Sequence, residues 1–533
     1  NDFISQEQLS KAMSVQEKTR RRLGEILIEL GYVTEFQLNQ LLNKQRLLRH
    51  QGTGQKPSIE RFNKRTKLVA TIGPSSANDE MIKSMMQAGV NIFRLNFSHG
   101  EHAGHEENIK RIRRIAKETG LNVGILQDIQ GPKIRIGEVE GGEVHLVPGA
   151  TFLLQTTPIT ATEKIASVSY EPLLQDIKAG ATILIDDGKM ELIVEAVTAD
   201  ALVTRVKVGG PLRPRKGVNF PGSILNISVL TEKDKVDLAF GAKQEVDWVA
   251  ASFVQTANDV SEVKAFLKQS GSESPVIAKI ERREAVNSLQ EILAVADGVM
   301  VARGDLGVEC PSEDVPLIQK QIIRQANIAG RPVITATQML DSMVSAPRPT
   351  RAEASDVANA IFDGTDAVML SNESASGQYP LEAVETMIRI IEKIETSEQL
   401  PTHREIDGSR QILESITVAA THLASELNAA AIIVPSYSGS TARLVSKFRP
   451  RCPIIATASR ASICRQMALL WGVYPLHLKS ATDDESMPRS AISTAITANL
   501  IASGDLIVIM DAVAGISGRA RGVRVEIADN KEK

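Results

Sequence analysis

Val299-Met300-Val301-Ala302-Arg303-Gly304-Asp305-Leu306-Gly307 opens as an apolar run suited to a buried parallel strand and ends in a carboxylate bracketed by glycines. Asp305 is therefore expected at a strand's exit, facing a pocket. Upstream, Val276-Ile277-Ala278-Lys279-Ile280-Glu281 is a second such run. Side chains at i and i+2 share one face of a strand, so the Lys279 ammonium and the Glu281 carboxylate are expected on the same side. Two carboxylates with no histidine or thiolate beside them suit a hard, oxygen-seeking ion such as Mg2+. The adjacent amine suits a phosphoryl group or an enolate.

Six further apolar runs feed polar clusters in the same way, at 68–72, 90–95, 123–126, 248–251, 333–336 and 367–370. With 276–280 and 299–302 they make eight, the strand number of a closed (β/α)8 TIM barrel whose site lies at the C-terminal face. Amphipathic helix patterns at 259–269 and 314–326 fit the connections. The barrel is expected to occupy 64–132 and 230–395. The insertion at 133–229 is rich in Thr and Val, with turn signals at Gly141-Gly142, Asp186-Asp187-Gly188 and Gly209-Gly210, and reads as an all-β lid domain. Residues 396–533 read as an α/β layer domain with strands at 431–434, 453–456 and 506–510.

A chain of 533 residues is too long for one core. A net charge of -3 excludes a nucleic-acid-binding surface spread over the whole molecule. No apolar run reaches membrane-spanning length and no signal-peptide pattern is visible. The three cysteines, Cys310, Cys452 and Cys464, show no metal spacing, so a reducing, cytoplasmic setting is expected.

Arg94-Leu95-Asn96-Phe97-Ser98-His99-Gly100 closes the second run with a guanidinium suited to phosphate and two oxygen donors, Asn96 and Ser98, on one face. Asp128 ends the third run and Arg135 offers another phosphate fork. There is no GxxxxGK[ST], so phosphate is not handled by a P-loop.

Val69 to Ser76, Arg94 to Gly100, Lys279-Ile280-Glu281, Ala302 to Gly307, Ala336 to Leu340, Pro347 to Glu353 and Asp356 to Ala360 together resemble pyruvate kinase, over about residues 66–527. The resemblance implies transfer of the phosphoryl group of phosphoenolpyruvate to ADP, giving pyruvate and ATP, the last step of glycolysis. It implies that Glu281 and Asp305 hold Mg2+ or Mn2+ and that Lys279 neutralises charge on the transferring group. Arg94 and Arg135 would clamp phosphate, Thr337 would relay a proton to the enolate carbon, and Gly304 would line the substrate site. Lys216, His99 and Arg94 would meet the nucleotide. In the family, oxygens at the positions of Asn96, Ser98, Asp128 and the Ile129 carbonyl bind K+. Here Lys133 stands where many members have glutamate, and an internal ammonium can replace that cation, so activity without K+ is expected. Asn372 replaces a usual glycine. Ser436, Ser438, Gly439, Ser440 and Thr441, faced by Gly515, Ser517, Gly518 and Arg519, resemble the family's sugar-phosphate effector site, and the family implies a homotetramer. On the residues alone two rivals stay open: another enolate-handling barrel, such as a Mg-dependent aldolase or phosphoenolpyruvate mutase, and a sensor scaffold driven by the N-terminal segment.

That segment, 1–50, precedes a polar linker at 51–63. Leu23, Ile26, Leu27 and Leu30 form a helical pattern closed by Gly31, and Thr34 can cap a second helix bearing Leu38, Leu41, Leu42 and Gln45. Ile4-Ser5, Leu9, Met13 and Gln16 match Val33-Thr34, Leu38, Leu42 and Gln45 at a constant offset, so the chain is expected to open inside the first of two helical-hairpin repeats. The pattern resembles the N-terminal domain of type II secretion ATPases. That likeness implies cyclic di-GMP as a ligand; a protein-docking hairpin is the alternative.

Overall fold

The eight apolar runs become eight parallel strands: β1 (Lys67–Thr71), β2 (Ile92–Asn96), β3 (Gly124–Asp128), β4 (Trp248–Ala251), β5 (Val276–Ile280), β6 (Gly298–Ala302), β7 (Val333–Ala336) and β8 (Ala367–Leu370). Each pairs with its neighbours in chain order, and β8 returns to β1 with Lys67 opposite Ala367, so the sheet closes. The computed structural model describes residues 5–19, 23–34, 64–397, 412–478, 486–512 and 520–529.

Strands read as continuous apolar runs because both of their faces are covered. Val69, Ile92, Leu126, Ala250, Ile277, Met300, Ile334 and Met369 fill the barrel interior, joined by Ala468 and Leu469. Their neighbours at odd offset, such as Leu68, Phe93, Ile125 and Val301, pack outward under the helices. Each large side chain so buried stabilises the fold by about 1.5–3 kcal/mol. Local signals agree with this layout. The helix Arg351–Asp363 opens on a capping box, with Thr350 Oγ1 accepting from Glu353 N and Glu353 Oε2 accepting from Thr350 N, and ends at Gly364 with φ 93°.

The insertion is built on β-sheet, with one short helix, Leu173–Asp176, between its strands. Its larger sheet runs Val218–Asn219, Thr182–Ile185, Met190–Val197, Leu202–Val208, Thr151–Gln155, Ile165–Ser167, and Gly210–Leu212 pairs with Val144–Leu146. The turn expected at Asp186-Asp187-Gly188 is present, with all three residues at positive φ. The turn expected at Gly209-Gly210 is not. Gly209 links two consecutive strands and Gly210 begins the second, and a Cβ on Gly209 would stand 2.1 Å from the Leu146 carbonyl oxygen. Close strand approach is what demands the missing side chain there.

The C-terminal sheet has five strands in the order Val473–His477, Ile454–Ala458, Ala431–Pro435, Leu506–Ala512, Ala520–Ile527, with the last antiparallel. Two of them escaped the sequence reading: both are edge strands, and Val473–His477 contains a proline.

The N-terminal unit, described by itself, contains helices Gln6–Thr19 and Leu23–Glu29, with Ala12, Ile26, Leu27 and Val33 buried together. Gly31, at φ 67°, closes the second helix as expected. Leu38, Leu41, Leu42, Gln45 and the linker 51–63 lie outside the described residues. Among the described residues no helix is long and apolar enough to cross a membrane.

Candidate active site

Because every barrel strand ends at the same rim, residues that are distant in sequence converge there. Lys279 is the hub. Its Nζ donates to Ser252 Oγ at 2.7 Å and lies 3.2 Å from Asp128 Oδ1 and 2.9 Å from Glu281 Oε1. Lys279 and Glu281 do share one side, as their spacing predicts. Arg94 joins through Asp128, with Nε 2.6 Å from Oδ2, and Nη1 donates to Thr71 Oγ1 at 3.1 Å.

Burial opposes each of these charges, and the neighbours decide the outcome. Burial pushes the Asp128 carboxyl up, but Lys279 and Arg94 outweigh it and hold the group below its ordinary value. Burial pushes Lys279 down, and Asp128 with Glu281 more than reverse that, so the ammonium stays charged. For Glu281 burial prevails: Lys279 offsets part of it, Asp305 adds repulsion, and the carboxyl is raised.

Glu281 Oε2 accepts from the Phe253 N–H at 2.7 Å, whereas the buried Oε1 has no hydrogen bond beyond its ion-pair contact with Lys279. A buried carboxylate oxygen with free lone pairs, raised partly by a second carboxylate, is what a divalent cation relieves. Glu281 and Asp305 therefore fit Mg2+ or Mn2+. Two protein carboxylates leave the remaining positions for water and substrate oxygens, as Mg2+ prefers. Among the described residues no group of three or more His, Cys, Asp or Glu could hold an ion.

Asp305 is not on the strand's immediate exit. It sits in the first turn of a helix, Arg303–Glu309, that begins directly after β6. The fully buried Leu306 anchors that helix, and Cys310 N closes it on the Leu306 carbonyl at 2.9 Å. Asp305 Oδ1 is 3.9 Å from Lys133 Nζ. Lys133 thus makes its ion pair with Asp305, while those of Asp128 go to Arg94 and Lys279.

Thr337 follows β7 at φ 64° and Gln338 at φ 54°, unusual backbone for non-glycine residues and costly for a β-branched one. Thr337 Oγ1 accepts from Gly304 N at 2.8 Å and donates to the Ala336 carbonyl at 2.7 Å. Arg303 braces the turn: Nη2 donates to the Thr337 carbonyl at 2.8 Å and Nε to the Ala336 carbonyl at 3.3 Å, while Nη1 pairs with Asp356 at 2.6 Å.

Of the oxygens expected around K+, Asn96 Oδ1 accepts from Ser98 N at 3.1 Å and the Ile129 carbonyl accepts from Ser252 Oγ at 2.7 Å. The nucleotide candidates are less gathered. Lys216 Nζ pairs with Asp186 Oδ1 at 2.8 Å, Arg135 Nη1 donates to the Arg215 carbonyl at 2.9 Å, and the His99 carbonyl lies 3.0 Å from His105 Nε2.

Ser252 and Arg303 were not singled out in the sequence. Ser252 follows the apolar run of β4 just as the other site residues follow theirs, so its position carried a signal that its residue type did not.

In the C-terminal sheet, Ser436 Oγ accepts from Gly439 N at 2.9 Å, and Ser438 Oγ donates to Ser440 Oγ at 3.1 Å. Gly439, at φ 79°, leads into the helix Ser440–Lys447, where a Cβ would stand 3.1 Å from Met467 Cγ. Thr441 is buried in the first turn. Gly515, Ser517, Gly518 and Arg519 lie outside the described residues.

The family model for the pyruvate kinase barrel domain matches residues 63–384, and that for the pyruvate kinase alpha/beta domain matches 414–525. Pyruvate kinase 2 of Synechocystis sp. is 50% identical over 469 residues, covering 87% of this chain and 79% of that protein. A pyruvate kinase of Geobacillus stearothermophilus is 46% identical, covering 87% of this chain and 81% of its own. Among solved structures, a pyruvate kinase from Cryptosporidium parvum superposes with a TM-score of 0.83 at 34% identity, covering 89% of this chain and 98% of that one.

Proposed function

The chain belongs to the pyruvate kinase family, and from that premise we propose that the Lys279 hub transfers the phosphoryl group of phosphoenolpyruvate to ADP, yielding pyruvate and ATP. The observation that carries this reading is one buried ammonium held between Asp128 and Glu281, with Glu281 Oε1 holding no partner other than that ammonium. Glu281 and Asp305 would hold Mg2+ or Mn2+, which supplies positive charge to the substrate's oxygens when bound. Lys279 stays protonated and meets charge as it builds on the phosphoryl group. Arg94, fixed by Asp128 and Thr71, presents its guanidinium to phosphate, with Arg135 as a second clamp from the lid. Thr337 Oγ1, oriented by Gly304 N, passes a proton towards the enolate carbon through water. Lys216 and His99 meet the nucleotide. The test is ADP-dependent pyruvate formation coupled to lactate dehydrogenase: activity that needs ADP and stops on chelation supports the reading, and pyruvate release without ADP overturns it.

Three finer readings accompany it. Lys133 places an ammonium within the site, which favours turnover without K+; a large fall when K+ is replaced by an inert organic cation at equal ionic strength refutes that. The Ser436–Thr441 loop has the hydroxyls and helix N-terminus that suit a sugar phosphate. Activation by such a compound, in a homotetramer measured by light scattering, is expected. The N-terminal hairpin is read as a sensor for cyclic di-GMP or a protein partner, and deletion of residues 1–60 with turnover and effector response unchanged would reduce it to an assembly role.

A further inference from the structure

Two stretches carry the chain between barrel and lid, one leaving through Lys133 and one returning through Asn219. They hold each other: Ile136 N donates to the Lys216 carbonyl at 2.9 Å, Val218 N to the Ile134 carbonyl at 2.9 Å, and Arg135 and Gly217 form an antiparallel bridge. Each also sends a side chain to opposite ends of the same helix, Arg303–Glu309. Lys133 Nζ reaches Asp305 in its first turn at 3.9 Å. Asn219 Nδ2 donates to Oε1 of Glu309, its last residue, at 2.7 Å.

The two contacts differ in kind. The first is long and about one-third exposed on both partners, so screening leaves it little strength. The second is partly buried, with the acceptor Glu309 only 7% exposed. Burial pushes the Glu309 carboxyl up, and the Asn219 hydrogen bond pulls it back only in part. A buried acceptor deprived of its donor is costly, so the Asn219 bond is the firm tie between lid and helix. Gly217 lies between the two contacts. A Cβ there would stand 3.1 Å from Lys133 Cε, so a side chain at this position would crowd Lys133.

We infer that Asn219 is a positioning residue for the divalent-ion site: through Glu309 it couples the lid's returning strand to the helix that presents Asp305. Lys216 precedes Asn219 by three residues, just before the strand Val218–Asn219, so a group drawn to Lys216 and an ion held by Asp305 act on one linked stretch of chain. The inference rests on Asp305 being an ion ligand, as proposed above. Asn219 itself touches neither ion nor substrate. Its loss would let the helix shift and loosen the carboxylate pair, and the effect belongs in ion affinity rather than in the chemical step.

The test is direct Mn2+ binding to the full chain without substrate, read from the free-Mn2+ signal in electron paramagnetic resonance, with thermal melting recorded alongside. Asn219→Ala is expected to weaken Mn2+ binding about tenfold, from the loss of one partly buried hydrogen bond to a buried carboxylate. Glu309→Leu, which removes the same bond from the other side and fills the space, must reproduce that loss. Glu309→Gln, whose amide oxygen accepts the same bond, must bind Mn2+ as the wild type does. In steady-state kinetics the change appears in the apparent constants for metal and ADP more than in kcat. Folded Asn219→Ala and Glu309→Leu with wild-type Mn2+ affinity overturn the coupling while leaving the ion site intact. A wild type that binds no Mn2+, or a Glu281→Gln that binds it equally well, overturns the ion site and the inference together.

Discussion

Arg303→Lys separates a strained turn from the fork that holds it. Thr337 and Gln338 both sit at positive φ, and a non-glycine residue there costs about 1–3 kcal/mol. Arg303 offsets that cost by donating to the carbonyls of Ala336 and Thr337 while anchored on Asp356 at 2.6 Å. Lysine keeps the charge and can still reach Asp356, but it cannot serve two carbonyls from a planar fork. Two lost hydrogen bonds at about 1 kcal/mol each give about 2 kcal/mol. Spent on releasing the turn, that lowers the population of correctly placed Thr337 by about 5- to 30-fold. Chemical denaturation should therefore show stability reduced by about 2 kcal/mol. The coupled assay should show kcat reduced by about 5- to 30-fold with a nearly unchanged KM for phosphoenolpyruvate, because Arg94 and Lys279 are untouched. Adding Gln338→Gly relieves part of the strain and should recover about 1 kcal/mol of the stability. Stability lost with kcat intact would show that Arg303 braces the fold and not Thr337, and no change in either would refute the reasoning.

Ser252→Ala removes the hydroxyl that accepts from Lys279 Nζ at 2.7 Å; kcat should fall about tenfold, the equivalent of one hydrogen bond to a charged group, and a wild-type rate would show that the two carboxylates position Lys279 unaided. Lys67 is buried, and burial holds its pKa at about 8 against the ordinary 10.5 despite Glu395, which raises it. The unfolded chain binds that proton more tightly, so this group's contribution to stability rises with pH between the two values, by up to about 3 kcal/mol. Lys67→Met lacks that slope, and its stability relative to the wild type should fall as pH is raised through this window; parallel curves would contradict it.

The barrel was legible because its strands are covered on both faces and so read as unbroken apolar runs. Their ends were less so: β2 and β3 extend through Asn96 and Asp128, where polar residues needed by the site replace the apolar signal. Val473–His477 and Ala520–Ile527 were missed because edge strands need only partial covering. In the site, Lys279 and Glu281 were readable from strand period alone. Ser252 was not, since it meets Lys279 only through the pairing of β4 with β5, which places Ala251 opposite Ala278. Arg303 and the backbone of Thr337 were hidden for a different reason. A β-branched residue at positive φ runs against local preference, and only surrounding contacts can impose it. The helix carrying Asp305 was hidden by Gly304 and Gly307, which weaken the helical pattern.

The most direct measurement is 31P NMR of a single turnover, with phosphoenolpyruvate, ADP, Mg2+ and enzyme in excess, comparing the wild type with Lys279→Met. The wild type should move the phosphorus signal from phosphoenolpyruvate to the γ-position of ATP, and the variant should do so slower by about a hundredfold or more. Transfer by Lys279→Met at the wild-type rate would contradict the assignment of this ammonium to the migrating group.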